Sequence, residues 1–163
     1  MRIAITGHRP NKLGNDYDLK SDLIHRIKGE ILDQLWMIDK DFDLTLISGM
    51  ALGIDTLFAN IAIEGNMKLI CAIPCIGQES RWPQKSKDKY NEILSKAYEI
   101  VRVTTDEYTH SCMQKRNKWM VNNCDILIAV WDGTPGGTAN CVNYAMDVGK
   151  HIIRIDPHNL REI

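Results

Sequence analysis

Short runs of consecutive apolar residues alternate along this chain with longer stretches in which apolar residues recur every three or four positions, and this alternation limits the fold more than any other feature. Ile3 to Ile5 form a run too brief for a helix and punctuated by Thr6-Gly7, the pattern of a buried strand. From Ser21 onward, Leu23, Ile24, Ile27, Ile31, Leu32, Leu35 and Trp36 lay one apolar stripe along a long helix, which Asp39 to Asp43 end. The rhythm repeats: a strand at Leu44 to Ser48, a helix from Ile54 to a C-cap at Gly65, a strand at Lys68 to Ile73. A helix carrying Tyr90, Ile93, Leu94 and Ala97 precedes a fourth strand, Glu99 to Val103. Met113, Met120, Val121 and Cys124 mark the next helix, and Asp125 to Trp131 the fifth strand. Gly137 to Val148 form a last helix capped by Gly149, followed by a strand at His151 to Ile155. Near-continuous apolar strands between amphipathic helices require a sheet covered on both faces. Right-handed crossovers then give an α/β, doubly wound, three-layer Rossmann-like sandwich with a mostly parallel sheet, in a single domain spanning 1–163.

At 163 residues such a domain buries roughly 70% of its unfolded surface and completes a core unaided. The 20 basic residues nearly balance the 21 acidic ones. That excludes the strongly basic footprint of a dedicated nucleic-acid binder, so nucleic acid is not an expected partner. Five cysteines in no CxxC pair suggest neither a disulfide framework nor a zinc module. Cys71, Cys75, His110 and Cys112 offer ligating atoms, but a thiol within an apolar strand is an ordinary core residue, so no metal is expected. With no leader pattern and no run of ~20 apolar residues, the expected location is cytoplasmic and no membrane contact is foreseen.

Open parallel sheets bind ligands beyond the carboxyl ends of their strands, near the point where strand order reverses. Three strand ends are unusual: Thr6-Gly7-His8-Arg9-Pro10, Ser48-Gly49-Met50-Ala51-Leu52-Gly53-Ile54-Asp55, and Trp131-Asp132-Gly133-Thr134-Pro135-Gly136-Gly137-Thr138. In the last two, glycines stand between a strand and a helix start, where backbone N–H groups and the helix dipole suit a phosphate. Tight turns with nothing bound are the bland alternative. Neither GxxxxGK[ST] nor GxGxxG is present, so neither an NTPase loop nor the usual dinucleotide fingerprint is expected. Arg9 offers a bidentate fork to phosphate, His8 a hydrogen bond or a proton, and Ser48 and Thr138 hydroxyls. Asp55 and Asp132, which would repel a phosphate, suit ribose hydroxyls or loop support. Arg116 and Asn117 can reach across the sheet edge. Trp82 can stack on a base for about 1–3 kcal/mol.

These segments, with Arg116-Asn117-x-Trp119-Met120-Val121, resemble the SLOG superfamily, named for the Smf/DprA and LOG proteins, and within it the YpsA-like branch. The resemblance covers most of the chain. It implies a pocket for a nucleotide or nucleotide-derived ligand, lined by the Ser48 to Asp55 and Asp132 to Thr138 loops; joined to the residue readings above, the expected ligand-binding set is Gly7, His8, Arg9, Ser48, Gly49, Met50, Ala51, Gly53, Asp55, Trp82, Arg116, Asn117, Asp132, Gly133, Gly136, Gly137 and Thr138, with no further cofactor. LOG-like relatives are phosphoribohydrolases with a PGGxGTxxE pattern. Here the intervening residue and second glycine are missing and Cys141 stands where the catalytic glutamate would be, which a thiol cannot replace. The DprA-like form SGxAxGID is closely matched and implies single-stranded DNA binding, but a net charge of -1 supplies only a local cationic patch. The leading expectation is therefore ligand binding, with phosphoribohydrolase and DNA binding behind it. A homodimer is expected, with Trp36, Met37 or Trp119 on its contact surface.

Overall fold

The computed structural model describes residues 1–160. Six strands, β1 (Arg2–Gly7), β2 (Thr45–Ser48), β3 (Lys68–Ile73), β4 (Glu99–Arg102), β5 (Ile126–Val130) and β6 (His151–Ile155), alternate with five helices. These are α1 (Asp22–Ile38), α2 (Ile54–Glu64), α3 (Gln84–Lys96), α4 (His110–Asn123) and α5 (Gly137–Asp147). The sheet runs β4-β3-β2-β1-β5-β6 and every pairing is parallel. The α/β Rossmann-like sandwich read from the sequence is therefore the fold.

Alternation along the strands explains their unbroken apolar character. Ile3 and Ile5 of β1 face the larger core with α1, α2 and α3, while Ala4 between them faces the second core with α4 and α5. Leu46 and Ile47 of β2 divide in the same way. Because both faces are covered, the middle positions of β1, β2, β3 and β5 are apolar, and polar residues fall at strand ends and on the edge strands β4 and β6. Phe58 of α2 is fully buried at the centre of the larger core, and its truncation to alanine should cost about 3–5 kcal/mol.

Helix ends follow local chemistry. The Ser21 hydroxyl accepts the Ile24 N–H at 3.3 Å and starts α1, and Thr109 accepts the Cys112 N–H at 3.2 Å and starts α4. Of the two expected glycine caps, the one on α5 shifts and the one on α2 holds. Val148, not Gly149, is the C-cap of α5, and Gly149 is the next residue, with φ +70°. Gly65 caps α2 with φ -86°, and the left-handed residue is Asn66 at φ +57°. A residue is needed in that region just past the last turn, and one position either way satisfies it. Among the described residues no helix is long and apolar enough to cross a membrane, and no group of three His, Cys, Asp or Glu side chains is placed to hold a metal ion.

Candidate functional site

From β1 the chain winds outward to β2, β3 and β4 on one side, and to β5 and β6 on the other, so strand order reverses between β1 and β5. Beyond the carboxyl ends of these strands lies a two-lobed cleft. The smaller lobe, about 380 Å³, is bounded by Thr6 to Arg9, Ala51 and Asp55, the α4 residues Met113, Arg116 and Asn117, and Thr134 to Thr138. Most of the anticipated site residues are thus brought together. Ser48, Gly49, Met50, Gly53, Asp132 and Gly133 do not line it, and Trp82 lines the larger lobe instead.

The turn from β2 to α2 is filled by the protein itself. The Ser48 hydroxyl is buried, donates to the Asp55 carbonyl at 2.7 Å and accepts the Met50 N–H at 3.1 Å. It has no direction left for a phosphate, and the Met50 side chain lies in the larger core. A guanidinium N–H of Arg116, a residue buried to 4% exposure, donates to the Gly49 carbonyl, which also accepts from the Gln78 amide at 3.1 Å. A Cβ on Gly49 would lie 2.5 Å from that guanidinium nitrogen and 2.8 Å from an Asp55 carboxylate oxygen. This glycine makes room for a side chain, not for a ligand. Gly53 sits at φ +89°, and a Cβ there would approach the His8 carbonyl oxygen to 2.5 Å. The same carbonyl accepts the Ile54 N–H at 3.2 Å, so the first amide of α2 is occupied. Asp55 accepts the Ala51 N–H at 3.2 Å, and burial, only partly opposed by Arg116, raises its pKa.

The turn from β5 to α5 is different. Gly136 precedes α5 at φ +146° with no side-chain cap, and around Gly136 and Gly137 an added Cβ would meet nothing within 4 Å. No side chain caps the leading amides of α5, which stand beside the lobe that Gly136, Gly137 and Thr138 line. Asp132 supports this turn from behind. It accepts the Thr134 N–H at 3.0 Å and the Thr134 hydroxyl at 2.6 Å, and these bonds, with a smaller part from His8, hold its carboxyl well below the usual range. The His8 Nε2 lies 2.8 Å from the same carboxylate, and the ring is 3% exposed. Burial lowers the His8 pKa against the pull of Asp132. His8 and Asp132 thus brace the two strand ends against each other. Gly133 packs with Arg154, 3.4 Å from an added Cβ.

Cations dominate the smaller lobe. Arg9 is exposed, and its side chain carries no hydrogen bond or ion pair. Lys12, one of the residues sequence reasoning missed, reaches the Thr134 hydroxyl at 2.7 Å and ties the β1 loop to the open turn. Arg116 uses Nε toward Asn117 at 3.1 Å and Nη1 toward Gly49; Nη2 has no protein partner, and no fully buried side-chain nitrogen among the described residues lacks one, so Nη2 is accessible. Asp55 is the one carboxylate lining this lobe among the described residues.

Past Arg9, Asn11, Ala51, Tyr108 and Met113, which belong to both lobes, the cleft widens to about 760 Å³ between Tyr17, Ile76, Gln78, Arg81 and Trp82. Trp82 packs edge-on against Tyr90, with ring centroids 5.4 Å apart. Tyr108 and Tyr17, missed from the sequence, are 57% and 50% exposed. Loop aromatics outside any periodic pattern give no signal of which cavity they will face. Cys141 lies beneath the lobe at 1% exposure, its thiol pushed up to about 11 by burial.

A model of the YspA SLOG family matches residues 3–157. The uncharacterized SPbeta prophage-derived protein YoqJ of Bacillus subtilis (strain 168) is 28% identical over 85% of this chain and 92% of its own. A UPF0398 protein of Bacillus pumilus (strain SAFR-032) is 29% identical over 83% of this chain and 76% of its own. Among solved structures, DNA processing protein A of Helicobacter pylori, described for its single-stranded DNA binding mode, superposes with a TM-score of 0.67 at 17% identity, over 94% of this chain and 64% of that one. The Streptococcus pneumoniae DNA processing protein A gives 0.64 at 20% identity, over 95% of this chain, which spans half of that protein's length. These two likenesses are of fold.

Proposed function

The chain belongs to the YspA SLOG family, and from that premise we propose that it binds a nucleotide or nucleotide-derived molecule across the two lobes. The phosphate would sit at the open end of α5 and the base against Trp82. One observation carries this reading: uncapped α5 amides border a lobe in which Arg9, Lys12 and Arg116 outnumber the single carboxylate Asp55. Amide hydrogens and fixed cations at the positive end of a helix dipole favour an anion. The larger lobe supplies aromatic and apolar surface on a scale that suits a base and its sugar. A ligand present at 100 times its Kd stabilises the fold by about 2.7 kcal/mol. The test is therefore a thermal-shift panel of adenine nucleotides, ADP-ribose and cyclic dinucleotides. At least one should raise Tm, and the rise should be lost in Arg9→Gln. No shift across the panel overturns the reading.

A phosphoribohydrolase is the second reading, and Asp55 favours it: a buried carboxyl with a raised pKa that lines the phosphate lobe has the makings of a general acid. It must act without the family glutamate, since Cys141 is buried as a neutral thiol. Release of free base from nucleoside monophosphates, abolished by Asp55→Asn, would establish it. DNA binding ranks third, and would appear as oligonucleotide affinity that falls steeply with salt. A cytosolic setting suits five free buried cysteines. Self-association is part of the proposal, with half-exposed Trp36 and Met37 available; sedimentation velocity reads it directly.

A further inference from the structure

The His8 ring is buried and makes all its polar contacts through one nitrogen. At Nε2 two groups of Asp132 compete: a carboxylate oxygen at 2.8 Å, which calls for a ring N–H, and the backbone N–H at 3.2 Å, which calls for a lone pair. A neutral ring satisfies only one of them. Nδ1 has no protein partner, and no fully buried side-chain nitrogen among the described residues lacks one, so Nδ1 is accessible. His8 lines the smaller lobe, the open space this nitrogen meets. A polar atom on a buried ring with no partner, beside cations and the uncapped start of α5, calls for a ligand that can bond to it.

From this geometry we infer that the smaller lobe takes a tetrahedral oxyanion together with a proton, and that the proton goes to His8. This rests on the proposed anion site and adds the residue that senses the anion and the charge state in which it binds. An incoming phosphate or sulfate group sets a second anion against the ring, so that Asp132 and the ligand face it from opposite sides. Either neutral tautomer then leaves a lone pair against negative oxygen, at Nε2 or at Nδ1. The imidazolium donates one N–H to each anion, and only that form satisfies both. Neutral His8, one oxyanion and one proton from solvent thus give the ion-paired complex, with no bond of the ligand broken.

The surroundings set which charge state the empty lobe favours. Burial disfavours the charged ring and lowers its pKa from 6.5 against the pull of Asp132, and Lys12 and His158 add to the lowering. Of the other groups around the lobe, Arg9 on the β1 loop and Arg116 on α4 are cations, Asp55 on α2 is a buried carboxyl with a raised pKa, and Tyr108 and His110 stand before and at the start of α4. The first turn of α5 carries no acidic residue. At neutral pH the empty site therefore holds a neutral ring. A bound anion offsets the neighbouring cations and adds its own attraction, and both raise the His8 pKa. Because the coupling is reciprocal, affinity for the anion rises as pH falls through the window between the bound and the free value.

The test is long-range proton–nitrogen correlation NMR of the imidazole rings in nitrogen-labelled full chain at pH 7, titrated with sodium sulfate against sodium chloride of equal ionic strength. Sulfate is fully ionised across this range, so any proton taken up goes to the protein. The His8 ring is assigned by its proximity to the Asp132 amide, 3.2 Å from Nε2. Expected is a ring with one unprotonated nitrogen in chloride, and with both nitrogens protonated once sulfate saturates. Sulfate affinity should also fall from pH 6 to pH 8, by up to about tenfold per pH unit. His8→Asn, whose amide can still donate to Asp132, should lose that slope even though His110 and His158 remain. A His8 ring that stays neutral at saturating sulfate, is already charged in chloride, or gives no sulfate response overturns the inference, as does an unchanged slope in His8→Asn; should that variant not fold, the native spectra alone decide. The readout uses no nucleotide: a sulfate-charged His8 with a silent nucleotide panel removes the nucleotide reading alone, and nucleotide stabilisation without a sulfate-charged His8 removes this inference alone.

Discussion

At the turn from β2 to α2, the protein's own groups take the directions a ligand would use: Arg116 and Gln78 reach the Gly49 carbonyl, the Ser48 hydroxyl bonds within its turn, and the His8 carbonyl takes the first amide of α2. At the turn from β5 to α5, the chain supplies only a scaffold from behind, through Asp132, Thr134 and His8, and leaves the front open. Both turns are glycine-rich and both end at a helix start. The difference teaches that a glycine before a helix serves close packing when backbone or a buried side chain fills the space where Cβ would be, and can serve a ligand only when that space is empty.

The sharpest way to break this contrast is Gly53→Ala. Positive φ and a 2.5 Å approach to backbone leave no cheap relaxation, so urea denaturation should show a loss of about 2–5 kcal/mol. A loss under about 1 kcal/mol would mean the closed turn is less rigid than its contacts imply.

Next in size is Arg116→Met, which strips the Gly49 carbonyl of a donor and the buried Asp55 of its nearest cation, at about 3 kcal/mol. The effect carries a sign with pH. Asp55 already has a raised pKa in the fold, and loss of Arg116, which lowers it, raises it further. A raised carboxyl favours the fold while protonated and costs stability once pH passes above its unfolded value. The deficit of the variant should therefore grow from pH 4 to pH 8. A flat deficit would place Asp55 outside the influence of Arg116.

The open turn should respond the other way round. Gly137→Ala meets nothing within 4 Å and should change stability by no more than about 0.5 kcal/mol. It should nonetheless shrink the thermal shift given by any nucleotide that stabilises the native chain, because its methyl stands beside the amides. Unchanged nucleotide stabilisation would move the phosphate away from α5.

The smallest expected effect tests the brace between the turns. His8 has a lowered pKa because burial disfavours its charged form, so its contribution to stability is present above pH 6.5 and is lost as pH falls through its folded value. Asp132, depressed by Thr134 and His8, adds its own loss at lower pH. Native protein should lose stability between pH 7 and pH 5, and His8→Asn should flatten that slope.

Much of this was legible in order along the chain. Periodicity located every strand and helix, because burial on two faces leaves its mark at each residue, and the glycine turns stood out as breaks in that pattern. Some element ends moved by one or two residues, as with the cap at Val148 in place of Gly149, because several neighbours can serve as a cap, while Gly65 capped α2 as expected. The site was legible as a set of segments but not as a set of contacts. Ser48, Gly49 and Asp55 carry the groups that phosphate binding asks for, and nothing in their spacing announces that an arginine more than sixty residues later lies among them. Lys12, Tyr17 and Tyr108 sit in loops without periodicity, where direction is set by the neighbours they meet.

The amino-acid order by itself determined the sandwich, the strand ends at which a site can form and the family, because apolar pattern and local turn chemistry act over a few residues at a time. Only the tertiary structure decided which glycine turn is closed and which is open, and that Arg116 lies among the residues of the closed one. Those outcomes depend on which distant side chain occupies a given volume, and volume is a property of the packed molecule rather than of any segment.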